Sequence, residues 1–263
     1  MKKQLKRQNK WWSLSLMVAL ASLSVGTQAS VQALPYADAV LLSQQQPSTS
    51  TPNISAFELF RKAYENRYTW DSQFPGYTAT VELKQGKEEY KGQIRVNPDM
   101  SVEVTGINNK DALQVVEIQL GMIAVHRRRV PFEVAHKNST FRLGNTDQKG
   151  TIEIIELEGK TEARYKVFRQ QIIQVNRLLG PHAVTVNVLD TKLTPEGYLA
   201  TRYQTFFRQP QTQQVLFEEE SKDTYKKIGD YFVLSHQILH GLEQGQKTTT
   251  ELEFTNIQLL PSS

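Results

Sequence analysis

The sequence predicts an α+β fold: one large curved antiparallel sheet of about ten or eleven strands, half-barrel-like, with two helices packed on its concave face. Three observations predict it. Nearly everything after residue 76 alternates apolar and polar residues with period two; only two segments carry the three-to-four-residue spacing of a helix; and turn signals such as Gln148-Lys149-Gly150, Pro195-Glu196-Gly197 and Glu243-Gln244-Gly245 punctuate the alternating runs. So many consecutive strands with only two helices exclude a doubly wound parallel sheet. No repeat of 20–50 residues is visible.

In chain order, Met1–Ala33 has the three parts of a secretory signal. A basic start (Lys2, Lys3, Lys6, Arg7, Lys10) precedes an apolar run from Trp11 to Val25, then small residues ahead of Ala29 and Ala33. The run is about 15–16 residues and contains four serines, short of the ~20 that a spanning helix needs, so a cleaved leader is favoured over a retained anchor. Residues 34–54 read as a flexible linker, with Ser43–Asn53 polar, proline-containing and aperiodic. Residues 55–263 then form a single β-rich domain, long enough to bury a large core.

The first helix is expected over Ser55–Tyr68. Ser55 and Glu58 have capping-box spacing, and Phe57, Phe60, Tyr64 and Tyr68 make one aromatic stripe. The second runs from about Asn109 to Arg129 and has two adjoining apolar rows: Leu113, Val116, Leu120 and Ile123, then Val115, Ile118, Met122 and Val125. A face that wide is expected to be covered on more than one side, and Pro131 ends the helix. Strand alternation begins with Ala79, Val81 and Leu83, and continues through Ile94, Val96, Val102 and Val104 to Val184, Val186 and Val188. Within Thr151–Glu158 the apolar positions shift phase from Ile152 and Ile154 to Ile155 and Leu157. Thr248–Leu260 does the same, from Leu252 and Phe254 to Ile257 and Leu259. Such a shift predicts a β-bulge in each run.

Charge and composition narrow the function classes. The whole chain has a net charge of +4, but the leader holds five cations and no acid; without it 26 Lys and Arg face 27 Asp and Glu. The basic balance therefore belongs to the leader and gives no reason to expect nucleic acid. With no cysteine, disulfides, thiolate catalysis and zinc–thiolate sites are excluded.

The stretches Ala56–Tyr77 (AFELFRKAYENRYTWDSQFPGY), Gly92–Gly106 (GQIRVNPDMSVEVTG) and Asp223–Leu239 (DTYKKIGDYFVLSHQIL) resemble an uncharacterised domain family of oxygenic photosynthetic bacteria and plastids. The similarity runs from about Ser55 to Leu260 and brings no agreed chemistry with it. A curved sheet with plugging helices also resembles the half-barrels of lipoprotein carriers and periplasmic lipid binders, and that resemblance implies a sheltered apolar interior.

Candidate residues follow from the pattern. Tyr231–His240 alternates Phe232, Leu234, His236 and Ile238, which would place His236 in an apolar row pointing inward, as a polar group orienting a ligand or as a core histidine bonded to a neighbour. His236 and His240, four apart on a strand, are separated by ~13 Å and cannot share one ion. His126, His136 and His182 stand in different elements, so no metal site is expected. The loop Tyr68–Tyr77 concentrates Trp70 and Phe74 with two tyrosines, as a lid at a cavity mouth, a membrane contact or a clasp joining helix to sheet. His126-Arg127-Arg128-Arg129 is the one dense basic run after the leader. It suits either the negative end of the helix dipole or an anion, such as a lipid head group, contacted by Arg127, Arg128 and Arg129. Glu218-Glu219-Glu220 reads as a solvated strand segment.

No nucleophile elbow, phosphate-binding glycine loop, dinucleotide fingerprint or His-Glu-x-x-His occurs, so neither a cofactor nor a catalytic residue is expected. The reading that joins these observations is an exported, non-enzymatic binding module for a lipid or other hydrophobic small molecule, in a periplasm or thylakoid lumen. Two alternatives stand beside it. One is an accessory factor of a photosynthetic membrane that meets a membrane surface or membrane protein through its own surface; the other is an enzyme with dispersed catalytic residues.

Overall fold

A computed structural model describes residues 55–261. The expected signal peptide, 1–33, and linker, 34–54, lie outside the described residues. The first helix, α1 (Ala56–Glu65), leads into β1 (Tyr77–Gln85), β2 (Glu88–Val96) and β3 (Val102–Thr105). Then come α2 (Lys110–Arg127), a single-turn α3 (Phe132–Ala135), and β4 (Ser139–Thr146), β5 (Ile152–Glu158) and β6 (Thr161–Phe168). The chain finishes with β7 (Gln171–Leu179), β8 (His182–Thr194), β9 (Gly197–Arg208), β10 (Val215–Ile228), β11 (Tyr231–Glu243) and β12 (Gln246–Leu259).

All twelve strands form one unclosed, curved antiparallel sheet in the order β3-β2-β1-β12-β11-β10-β9-β8-β7-β6-β5-β4. Strands β4 to β12 are a continuous meander, and β1 pairs with β12, so the first and last strands are neighbours. β3 and β4 are therefore the two opposite edges. The segment between them carries α2 and α3, and it has to cross the sheet from edge to edge. Helix α2 is thus a crossbar over the concave face.

The local signals explain the helix ends. Ser55 Oγ accepts the Glu58 N–H at 3.2 Å, and Asn109 Oδ1 accepts those of Asp111 and Ala112 at 3.0 Å each. Twelve strands and three helices replace the expected ten or eleven and two. At four residues α3 is too short to show periodicity, and so is β3. The bulge expected near residue 256 is present: Asn256 has φ +53° and the β1–β12 register slips there. The one expected within Thr151–Glu158 belongs instead to its partner. Two residues of β4, Gly144 and Asn145, lie opposite Glu153, while β5 pairs regularly with β6.

Two separate cores hold the helices. The larger packs Ala112, Val116, Leu120 and Ile123 of α2 against Val81 and Leu83 of β1 and Leu252 and Phe254 of β12. The smaller sets Phe60 of α1 and Phe132 of α3 on Ile154, Tyr165 and Val167. Phe60 meets Tyr165 with ring centroids 4.3 Å apart. The end of α1 is tied to β9 by paired backbone bonds, Tyr198 N–H to Asn66 O and Tyr68 N–H to Tyr198 O, both 2.9 Å. Gly197 permits this approach: its φ is +131°, and a Cβ there would overlap the Asn66 carbonyl.

Candidate functional site

Between the two cores, the inner surface of β7–β10 is left uncovered beneath α2 and bounds a cavity of about 1330 Å³. That exceeds the ~1,000 Å³ at the upper end of ordinary small-molecule sites. Its floor is laid down by strand register. Val184, Val186 and Val188 of β8 stand opposite Phe207, Thr205 and Tyr203 of β9, and these in turn opposite Phe217, Glu219 and Ser221 of β10. Its roof is the second apolar row of α2. Val116 and Leu120 are sealed in the core at 0% and 1% exposure, whereas Ile118 and Met122 line the cavity and Val125 is 53% exposed beside them. The wide apolar face read from the sequence is thus divided: Val115, Val116 and Leu120 pack into the core, while Ile118 and Met122 face the void.

Polar groups cluster where α2 ends. Arg127, 7% exposed, donates from Nη2 to Tyr225 Oη at 2.7 Å; Tyr225 Oη donates to Asp223 Oδ2 at 3.0 Å, and Gln237 Nε2 to Asp223 Oδ1 at 2.9 Å. Arg127 Nε, buried at the same wall, has no hydrogen-bond partner among the described residues. Arg67, which donates its Nε–H to the Tyr64 carbonyl and lies 3.8 Å over the Tyr64 ring, and Arg177 of β7 also line the cavity. Among the described residues none of these three arginines makes a salt bridge. His126 lines the cavity at the same end of α2 and is accessible there. Desolvation, then the charges of Arg127, Arg67 and Arg177, lower its pKa to about 4. Glu219 is pushed up to about 7 by burial and by the neighbouring Asp223. Asp223 itself is raised by burial, against the hydrogen bonds of Gln237 and Tyr225 and the charge of Arg127.

A second polar cluster lies in the wall near α1. His136 Nδ1 meets Glu156 Oε1 at 2.6 Å, where Ser139 Oγ also donates, and Tyr165 Oη donates to Glu156 Oε2 at 2.7 Å. No local sequence signal marks this pairing, because the partner of His136 is 20 residues away across the β4–β5 hairpin. The carboxyl of Glu156 is raised by burial but more strongly lowered by the three donors, and the net shift is downward. Among the described residues no group of three or more His, Asp or Glu could hold a metal ion.

The residues singled out from sequence fall mostly elsewhere. His236 does not share an inward row with Phe232, Leu234 and Ile238. Ser235 is an extra residue in β11 opposite the Thr224–Tyr225 step, and it inverts the phase. Leu234 is buried before the bulge and Gln237 and Leu239 after it. His236 and Ile238 point the other way, where His236 Nε2 meets the half-buried Glu251 at 2.7 Å. Phe232 and Leu234 are core residues that do not line the cavity. Trp70 and Phe74 are 1% and 2% exposed, stacked at 4.1 Å, and Trp70 Nε1 donates to the Phe232 carbonyl at 3.1 Å. The loop is therefore a clasp, not a lid or a membrane contact. Of the basic run, Arg127 and His126 face the cavity; Arg128 is exposed, and Arg129, also exposed, donates to Thr69 Oγ1 at 3.0 Å. Glu219, read as solvated, faces inward. Phe217, Glu219, Ser221, Asp223 and Tyr225 share one parity of β10, and the aromatic residues at both ends of that row were the signal that could have placed it.

A family model described as "Protein of unknown function (DUF3386)" matches residues 51–260. No curated protein matches. Among solved structures, a LolA superfamily protein from Nitrosomonas europaea aligns at 9% identity over 80% of this chain and 96% of its own, with a TM-score of 0.26. A putative outer membrane lipoprotein-sorting protein domain from Vibrio parahaemolyticus aligns at 9% identity over 78% and 92%, TM-score 0.23. The MucA/MucB complex of Pseudomonas aeruginosa aligns at 7% over 79% and 99%, TM-score 0.22. At such scores these likenesses carry no argument about this chain.

Proposed function

The chain belongs to the DUF3386 family, whose function is unknown, and on that premise we propose that it is a non-enzymatic binding module for a lipid or other hydrophobic ligand, exported from the cytoplasm. The observation that carries the reading is the second apolar row of α2. Ile118, Met122 and Val125 are held over the valine and phenylalanine floor of a cavity, not pressed into a core. Apolar surface held apart in this way gains by enclosing a guest. A hydrocarbon tail losing several hundred Å² of contact with water, at ~25 cal/mol per Å², supports micromolar binding after association costs. Export to a periplasm or thylakoid lumen is supported by the tripartite pattern of Met1–Ala33. No described helix is long and apolar enough to cross a membrane.

The test is organic extraction of protein purified under native conditions, followed by mass spectrometry. The reading expects a hydrophobic species in near-stoichiometric amount. A ligand-free preparation that also fails to take up a neutral fluorescent apolar probe would overturn it.

A further inference from the structure

We infer that the ligand is an amphiphile with an anionic oxyanion head, carboxylate or phosphate, held by Arg127, Arg67 and Arg177 while its hydrocarbon part lies under α2. The inference rests on the proposed reading of the cavity and adds the chemistry of one end of the guest.

Charge is distributed unevenly in the cavity. Arg127, Arg67 and Arg177 all line the cavity, and the charge of each acts on the His126 ring at the end of α2. Arg127 is linked to Asp223 through the Tyr225 hydroxyl, so the arginine is oriented without a direct ion pair among the described residues. The Nε–H of Arg127 is buried and unused. A buried donor left unmatched is costly, and an oxyanion beside it satisfies both the hydrogen bond and the charge. Arg67 is held in place through the Tyr64 carbonyl and ring. Arg177 stands on β7 opposite Val184, where the apolar floor begins. The other carboxylates of the lining do not cancel this pole. Glu219 sits on the floor and is half-protonated near neutral pH, while Glu117 and Glu243 belong to the middle of α2 and the end of β11.

The arrangement accounts for a feature that a purely apolar carrier has no use for. Arginine presents a planar fork suited to carboxylate and phosphate, and in a recessed, half-open cavity its attraction for an anion is less screened than on an open surface.

The experiment uses displacement of a neutral fluorescent apolar probe from the full-length protein by three ligands: hexadecanoate, hexadecanol and a phosphatidylglycerol. Hexadecanoate, phosphatidylglycerol or both should displace the probe at about tenfold lower concentration than hexadecanol, the worth of one charge-assisted contact. Which of the two anions wins identifies the source of the head group. Arg177→Gln and Arg67→Gln should each erode that preference several-fold, weakening the anions more than hexadecanol. Both are read alongside Arg127→Lys, because Arg127 is buried and its loss risks the fold. Tight binding of hexadecanol equal to that of both anions would overturn the inference and leave the lipid-binding reading standing. Failure of the probe and of all three ligands to bind would overturn the reading itself.

Discussion

Glu219 and His126 face the same cavity and are distorted in opposite senses from their ordinary values, chiefly by desolvation in both cases. For Glu219 the direction has a measurable consequence. Its folded-state value of about 7 lies above the ordinary carboxylate value of 4.5, so between those pH values the folded protein holds a proton that the unfolded chain has released. The cost of burying the charged form is absent below about pH 4.5 and fully present above about 7. Glu219→Gln, neutral throughout, is therefore expected to match the parent protein near pH 4 and to be more stable at pH 8, by on the order of 1 kcal/mol after allowance for its partial exposure. Urea unfolding of the two proteins at both pH values checks this; a difference that does not grow with pH would contradict it. Neither shift was readable from sequence. Glu219 sits in a run of three glutamates that alternate between faces, and what distorts it is an enclosure built from distant strands.

At the scale of the element, α2 was well marked in the sequence. Its approximate span and both apolar rows were legible, because helical spacing is a local property. What each row would meet was not. The row through Val116 and Leu120 became core, and the row through Ile118 and Met122 became the roof of the cavity. That division predicts a contrast between neighbours. Leu120→Ala should destabilise by ~2–5 kcal/mol, as large-to-small changes in a packed core do. Met122→Gln and Ile118→Gln should leave the melting temperature close to that of the parent and weaken uptake of an apolar probe about tenfold. Thermal unfolding and probe titration on the same three variants separate the outcomes. Equal destabilisation by all three would show that the roof row is packed. Strand β11 is the counter-example. Its alternation read as continuous, yet the single extra residue Ser235 sends His236 outward to Glu251, and period-two reasoning fails beyond such a slip.

For the whole molecule, the sheet class followed from alternation, while strand order depended on pairings no local signal specifies. The adjacency of β1 and β12, and hence the identity of the two edges, is what makes α2 a crossbar. The cavity follows from that topology: two helical cores sit toward the two ends of one curved sheet, and between them much of the inner face of β7–β10 is left to the cavity. The Trp70–Phe74 clasp and the Gly197 junction then fix α1 and α2 relative to the sheet, so that the lining is held apart by packing outside it. The central claim, that this interior houses a hydrophobic guest, is tested most directly by native electrospray mass spectrometry of the protein beside Val186→Trp. That substitution places an indole on the cavity floor at a position that belongs to neither core. The parent protein should carry an extractable adduct of lipid mass, and the variant should fold normally and be found at its bare mass. An adduct retained in full by the variant, or a parent protein that stays bare when offered lipid, would contradict the account.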